Sequence, residues 1–190
     1  PSLEERLIAD IAAERGVDPL DLMLDMSLET DLTARFRTPV ANHNEDDVEP
    51  LLKDECTVLG LSDAGAHASQ LCDACFATYL LGHWVREKGA LSLEYAVKRL
   101  TSQAADVFGI TDRGRLAIGV PADVVVFDAD TVGARDLARV YDLPGDADRL
   151  IAQADGIEAV VVNGTLLRLG GEDMLNKDDP LPGQLLRNGR

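Results

Sequence analysis

Aromatic residues are scarce. Four Phe, three Tyr and one Trp make up 4% of the 190 residues, so any core must be built from Leu, Val, Ile and Ala. Cysteine is scarcer still, with Cys56, Cys72 and Cys75 the whole complement. An odd, low number in a chain of this length argues against a disulfide scaffold and fits a reducing, cytoplasmic compartment. Positive charge is in deficit: 18 Lys and Arg face 34 Asp and Glu, for a formal charge of -16. Such a surface repels phosphate backbones and anionic headgroups, which argues against nucleic-acid and membrane partners. No apolar run reaches the roughly 20 residues of a transmembrane helix, and no signal-peptide pattern is present. G-x-G-x-x-G, P-loop and G-x-S-x-G motifs are all missing.

What is present suffices for a real core: 46% of the residues are hydrophobic. Ser2 and Glu5 form a capping box, and Leu3, Leu7, Ile8, Ile11 and Ala12 recur at helical spacing up to a stop at Gly16. Asp18-Pro19 reads as an N-cap followed by proline at the first helical position. The Leu and Met residues from Leu20 to Met26 then predict a helix buried on most sides. Residues 30–44 lack a period, with room for a short strand before Pro39. His43 reads as part of a polar loop ahead of Glu45-Asp46-Asp47, which open a helix to about Lys53.

Cys56 to Leu61 is a short apolar run of the kind found in a strand of a parallel sheet, buried on both faces. Ser62-Asp63-Ala64-Gly65-Ala66-His67 follows it directly. A carboxylate at the mouth of such a strand can bind a divalent metal and take a proton from water. The competing reading is that Ser62-Asp63 merely caps a turn. Helices are expected from about Leu71 to Lys88, ended by Gly89, and from Ser92 to about Phe108, ended by Gly109. Cys72-Asp73-Ala74-Cys75 would then lie early in a helix. These thiols read as ordinary half-buried cysteines, with a small metal site shared with His67 or Cys56, or a redox pair, as alternatives. His83-Trp84 reads as packing plus a surface imidazole.

From residue 110 the period changes to that of strands. Ala122 to Phe127 is a strong strand, Pro144-Gly145 a turn, and Ile157 to Val162, Asn163-Gly164 and Thr165 to Leu167 a hairpin. The tail from Gly170 reads as extended.

Several of these stretches carry a family resemblance. They are Ser62 to His67, Thr78 to Glu87, Leu93 to Val97, Thr101 to Ala105, Phe108-Gly109 and Asp112 to Leu116, then Gly119 to Asp128, Val162-Asn163-Gly164 and Pro182 to Arg187. Together they resemble the amidohydrolase superfamily, and within it the N-acyl-D-amino-acid deacylase (D-aminoacylase) branch. The resemblance implies an α/β fold: the C-terminal units of a metal-dependent (β/α)8 barrel over residues 1–109, followed by part of a small β-sandwich and a tail over 110–190. It implies a hydrolase of carbon–nitrogen amide bonds that releases a carboxylate and a free D-amino acid from a small N-acyl amino acid. Asp63 would be metal ligand and general base, His67 a substrate contact, and zinc the metal of the parent enzyme.

The family's His-x-His pair, its bridging cysteine or carboxylated lysine, and its two mid-barrel histidines have no counterpart among the three histidines here. The chain therefore reads as the C-terminal third of such an enzyme, as its opening on Pro1 also suggests. Alone it is expected to be inactive, and to associate with the missing N-terminal part or with another copy. A catalytically incomplete α/β module serving assembly or binding, another cyclic-amide hydrolase, and a small Cys/His metal domain are the alternatives.

Overall fold

The first helix ends where glycine permits it. In the computed structural model, which describes Leu3 and residues 6–186, helix α1 spans Ile8–Arg15. Gly16 turns left-handed at φ +67°, so its N–H reaches the Ala13 carbonyl at 3.3 Å and the Val17 N–H reaches that of Ala12 at 3.1 Å. These paired bonds satisfy carbonyls that the helix end would orphan. The capping box at Ser2 and Glu5 lies outside the described residues. Helix α2, Pro19–Glu29, starts as its sequence dictates: the Asp18 carboxylate accepts from the Leu20 amide at 2.8 Å.

The chain divides into two compact units, one ending at Asn44 and the other beginning at Glu45. In the first, Ile11, Ala12 and Leu22 form the core, flanked by Leu3, Ile8 and Met26. The expected burial of α2 on most sides does not occur, because Leu20 and Leu24 are exposed. Among the described residues of this unit α2 has only α1 as a helical partner, and one neighbour covers one face. Among the described residues no strand forms before Pro39.

The second unit begins with α3, Glu45–Lys53, acidic in its first turn and closed by a lysine, as the helix dipole favours. The buried strand expected over Cys56 to Leu61 is not there: these residues form no ladder, and Leu61 is 80% exposed. A parallel strand exists only beside another strand, and among the described residues the first strand begins at Val124.

The helix expected from Leu71 starts later. Helix α4, Phe76–Tyr79, leads into a π-helical segment, Leu80–Glu87. This segment docks closely on the backbone at Val132-Gly133: a Cβ on Gly82 would lie 2.9 Å from both the Gly133 Cα and the Val132 carbonyl oxygen, and Arg86 donates to that same carbonyl. Helix α5, Leu93–Leu100, is capped by the Ser92 hydroxyl, which accepts from the Tyr95 amide at 3.2 Å. Helix α6, Ser102–Val107, follows at once. Leu80, Leu81, Trp84, Leu91, Ala96 and Val132 form the core of this unit.

Eight strands complete the described part of it: β1 Val124–Phe127, β2 Gly133–Ala134, β3 Ala138–Leu143, β4 Ala147–Ile151, β5 Ala154–Asp155, β6 Ile157–Val162, β7 Thr165–Leu169 and β8 Glu172–Asp173. The main sheet is antiparallel in the order β1-β6-β7-β8. Strands β2 and β5 pair separately, as do β3 and β4, which are joined through Pro144-Gly145-Asp146. The expected hairpin is present. Asn163 at φ +47° and Gly164 at φ +78° form the tight turn between β6 and β7, with the two positive φ values that match strand twist.

The residues of the family-like tail meet at this turn. Arg113 donates to Asp123 Oδ2 at 2.5 Å, Asp123 Oδ1 accepts from the Asn163 amide at 2.8 Å, and the Gly164 amide reaches the Ala122 carbonyl at 2.9 Å. Asp123, Arg113 and Asn163 thus staple the segment before the sheet to its central hairpin.

Candidate active site

Asp63 sits in a run of tight turns. The Ser62 hydroxyl accepts from the Ala64 amide at 3.3 Å, the Asp63 carbonyl from Ala66 at 3.1 Å, and the His67 carbonyl from Gln70 at 2.7 Å and Leu71 at 3.1 Å. Both Asp63 and His67 adopt φ +49°, a left-handed conformation that costs an L-residue about 1–2 kcal/mol. Gly65, at φ +93°, occupies the position between them where glycine is needed. Both side chains are exposed, and neither has a hydrogen-bond or ion-pair partner among the described residues. The turn brings their backbones together but makes no bond between carboxylate and imidazole. A cleft of about 440 Å³ lies elsewhere, lined from α5, α6, β1 and β6 by residues such as Leu100, Phe108, Arg113 and Val161.

The segment leading to Asp63 is held from behind. Tyr95 donates to the Lys53 carbonyl at 3.1 Å, and Arg99 donates to the Asp54 carbonyl and the Thr57 hydroxyl, each at 2.8 Å. Gln103 donates to the Thr57 carbonyl at 3.2 Å. Arg99 is only 2% exposed. Sequence reasoning missed this role. The available signal was that Arg99 follows Ala96 by one helical turn, on the face that Leu93, Ala96 and Leu100 mark as apolar.

A second polar cluster surrounds the imidazole that the sequence places on the surface. His83 Nε2 lies 2.7 Å from Glu45 on α3, and Nδ1 lies 2.9 Å from Glu87. Lys88 bonds the other Glu45 oxygen at 2.5 Å, and the Tyr79 ring stacks on His83 at 4.8 Å between centroids. The Lys88 and His83 hydrogen bonds hold the Glu45 carboxyl below the usual carboxylate range. Burial, then the Glu45 charge, pushes the Tyr79 phenol up. Trp84 beside them is buried, as expected. This cluster ties α3 to the π-helical segment.

The C-x-x-C pair is not in a helix. Cys75 is the residue before α4, and Cys72 is buried in the turn region ahead of it. Burial pushes the Cys75 thiol up, away from the thiolate that redox and metal chemistry need. Among the described residues, no three His, Cys, Asp or Glu side chains come together as ligands for a metal ion. This removes the small Cys/His metal domain over those residues, and means that Asp63 and His67 do not form a metal site by themselves. Among the same residues no helix is long and apolar enough to cross a membrane.

Comparison with known proteins gives a consistent picture. The model of the amidohydrolase family matches residues 1–168. The N-acyl-D-glutamate deacylase of Alcaligenes xylosoxydans xylosoxydans is 45% identical over 124 residues, covering 64% of this chain and 23% of that protein. The crystal structure of N-acyl-D-glutamate deacylase from Bordetella bronchiseptica, complexed with zinc and a phosphonate mimic of the tetrahedral intermediate, superposes with a TM-score of 0.56 at 32% identity. It covers 98% of this chain and 35% of that one. A D-aminoacylase variant in complex with copper chloride gives 0.55 at 28% identity, covering 99% and 36%. The chain thus spans about a quarter to a third of the length of these relatives. A family match over most of the sequence, joined to similar structures at appreciable identity, shows that the chain belongs to the amidohydrolase family.

Proposed function

We propose that these 190 residues are the C-terminal part of a metal-dependent N-acyl-D-amino-acid deacylase. On this reading, residues 1–109 supply the last units of a (β/α)8 barrel, and residues 110–190 supply the C-terminal share of a small β-sandwich and its tail. Asp63 is the functional carboxylate. It contributes one ligand to a zinc site whose other ligands lie outside this chain, and it acts as general base. It takes a proton from the water that attacks the amide carbonyl and passes it to the departing amine nitrogen. The products are the free acid and the D-amino acid, so atoms and protons balance. His67 contacts the substrate beside it.

The observation that carries this reading is the Ser62–His67 turn. An unpaired, exposed carboxylate is held in a strained left-handed backbone between small residues, and strain of this kind is concentrated at functional sites. The absence of three converging ligands among the described residues supports the second element, that these residues alone are catalytically incomplete. The apolar surfaces left open support association with the remainder of the enzyme. Among the described residues strand β1 is an edge strand whose Val125 and Val126, on opposite faces, are 54% and 49% exposed, and unpaired apolar edges seek partners.

The test exchanges this chain for the aligned segment of the Alcaligenes deacylase. The exchanged enzyme is expected to hydrolyse N-acyl-D-amino acids, and Asp63→Ala to reduce its turnover by at least about a hundredfold, the scale of a lost general base. Undiminished turnover in Asp63→Ala would refute the assignment.

A further inference from the structure

Arg99 is a buried cation with no anion beside it among the described residues. It is 2% exposed, yet the groups its guanidinium touches are the Asp54 carbonyl, the Thr57 hydroxyl and, at 5.8 Å, the Tyr95 ring. No carboxylate pairs with it among the described residues. A buried charge needs compensation, and the place where it sits supplies it. The Asp54 carbonyl is one residue beyond α3 and also accepts from the Thr57 amide at 3.3 Å, so Arg99 sits at the C-terminal end of that helix, where the dipole is negative. The Thr57 hydroxyl, which itself donates to the Leu51 carbonyl at 2.6 Å, extends that cap. Gln103 then fixes the Thr57 carbonyl.

We propose that Arg99, with Thr57 and Gln103, forms a positioning clamp that sets the exit direction of the segment presenting Asp63. The proposal rests on the reading of Asp63 given above, but its mechanism is separate. Beyond Thr57, Leu59 packs against the core before the chain enters the exposed turns at Ser62. The clamp therefore acts through the backbone. Arg99 touches neither substrate nor reacting atoms, and lysine cannot replace it. Two acceptors are bridged by two guanidinium nitrogens in fixed geometry, where an ammonium is a single point.

The test measures amide chemical shifts and hydrogen exchange in the 190-residue chain for Arg99→Lys, Arg99→Met and the milder Thr57→Val. Exchange at the Cys56 and Thr57 amides, which bond the Asp54 carboxylate and carbonyl, is expected to accelerate at least about tenfold in each variant, while the core amides of Leu81 and Trp84 keep their protection. The Asp63, Ala64 and Ala66 resonances should shift although none of these residues touches Arg99. Arg99→Lys is expected to restore no more than part of the effect. Unchanged resonances from Asp63 to Ala66 in Thr57→Val, or equal acceleration in the core and the segment, would overturn the proposal. If Arg99→Met does not fold, Thr57→Val decides by the same criteria. The measurement does not depend on catalysis, so failure of the Asp63 assignment in the exchanged enzyme and failure of the clamp are distinguishable.

Discussion

Gly156 and Gly145 differ in one respect that allows the packing of the second unit to be measured. Both are left-handed, at φ +71° and +72°, so replacement by alanine imposes a similar conformational cost of about 1–2 kcal/mol at each. Their surroundings are opposite. A Cβ on Gly145 meets nothing within 4 Å, whereas one on Gly156 would lie 2.4 Å from the Val132 amide nitrogen and 2.6 Å from its Cα. That backbone cannot swing aside. Val132 is fully buried in the core, its N–H is bonded to the Asp128 carbonyl at 2.8 Å, and its own carbonyl is held by Arg86. Overpacking adds about 1–3 kcal/mol. Gly156→Ala is therefore expected to cost about 2–5 kcal/mol in total and Gly145→Ala only the conformational part. Trp84, the single tryptophan, lies in the same core as Val132 and reports unfolding by fluorescence. With a urea slope of about 2 kcal/mol/M, the midpoint of Gly156→Ala should fall about 0.5–1.5 M below that of Gly145→Ala. Coincident midpoints would show that the close approach between Gly156 and Val132 is not part of the folded state.

Other perturbations test other links. Asp63→Asn should change stability by less than about 0.5 kcal/mol, since the carboxylate has no partner to lose among the described residues; chemical denaturation checks this, and a larger loss would mean the side chain is structural. Ser92→Ala removes the cap of α5 and should cost about 1 kcal/mol by the same assay. Asp123 gives a pH signature. Desolvation works to raise its pKa, but the hydrogen bonds from the Asn163 amide and Arg113 outweigh it and hold the carboxyl below its usual range. A carboxylate depressed in the folded state contributes stability above its unfolded pKa and loses it as pH falls through the folded value. Asp123→Asn should therefore flatten the fall in thermal stability below about pH 4, and an unchanged acid limb would show that the staple carries no linkage.

Local signals in the sequence are legible where a single residue type decides the geometry. Gly16 and Asp18-Pro19 fix the end of one helix and the start of the next, Ser92 begins α5, and Asn163-Gly164 turns the main hairpin. Each works through its own backbone or its nearest amides, so nothing distant is needed. The readings that fail depend on distant partners. Cys56 to Leu61 has the composition of a buried strand, but composition creates no ladder, and the described residues offer no strand beside it. Leu20 and Leu24 announce burial that α1 alone does not provide. The late start of α4, which removes Cys72 and Cys75 from a helix, and the π-helical winding of Leu80–Glu87 have no local signature. The close fit of Gly82 to Gly133 accompanies that winding and is visible only in three dimensions. The Asp63 turn is visible as a motif. The Arg99 clamp behind it and the link from Glu45 to His83 are not, because their partners are separated by tens of residues.

On the proposed function, this chain contributes Asp63 to a zinc hydrolase site that it cannot complete alone. The most direct measurement compares deacylase turnover of the purified 190 residues with added zinc against that of the exchanged Alcaligenes enzyme, with and without the Asp63→Ala substitution. The account predicts no turnover from the chain alone, turnover from the exchanged enzyme, and its loss on Asp63→Ala. Zinc-dependent turnover by the isolated chain, or an exchanged enzyme indifferent to Asp63→Ala, would contradict it.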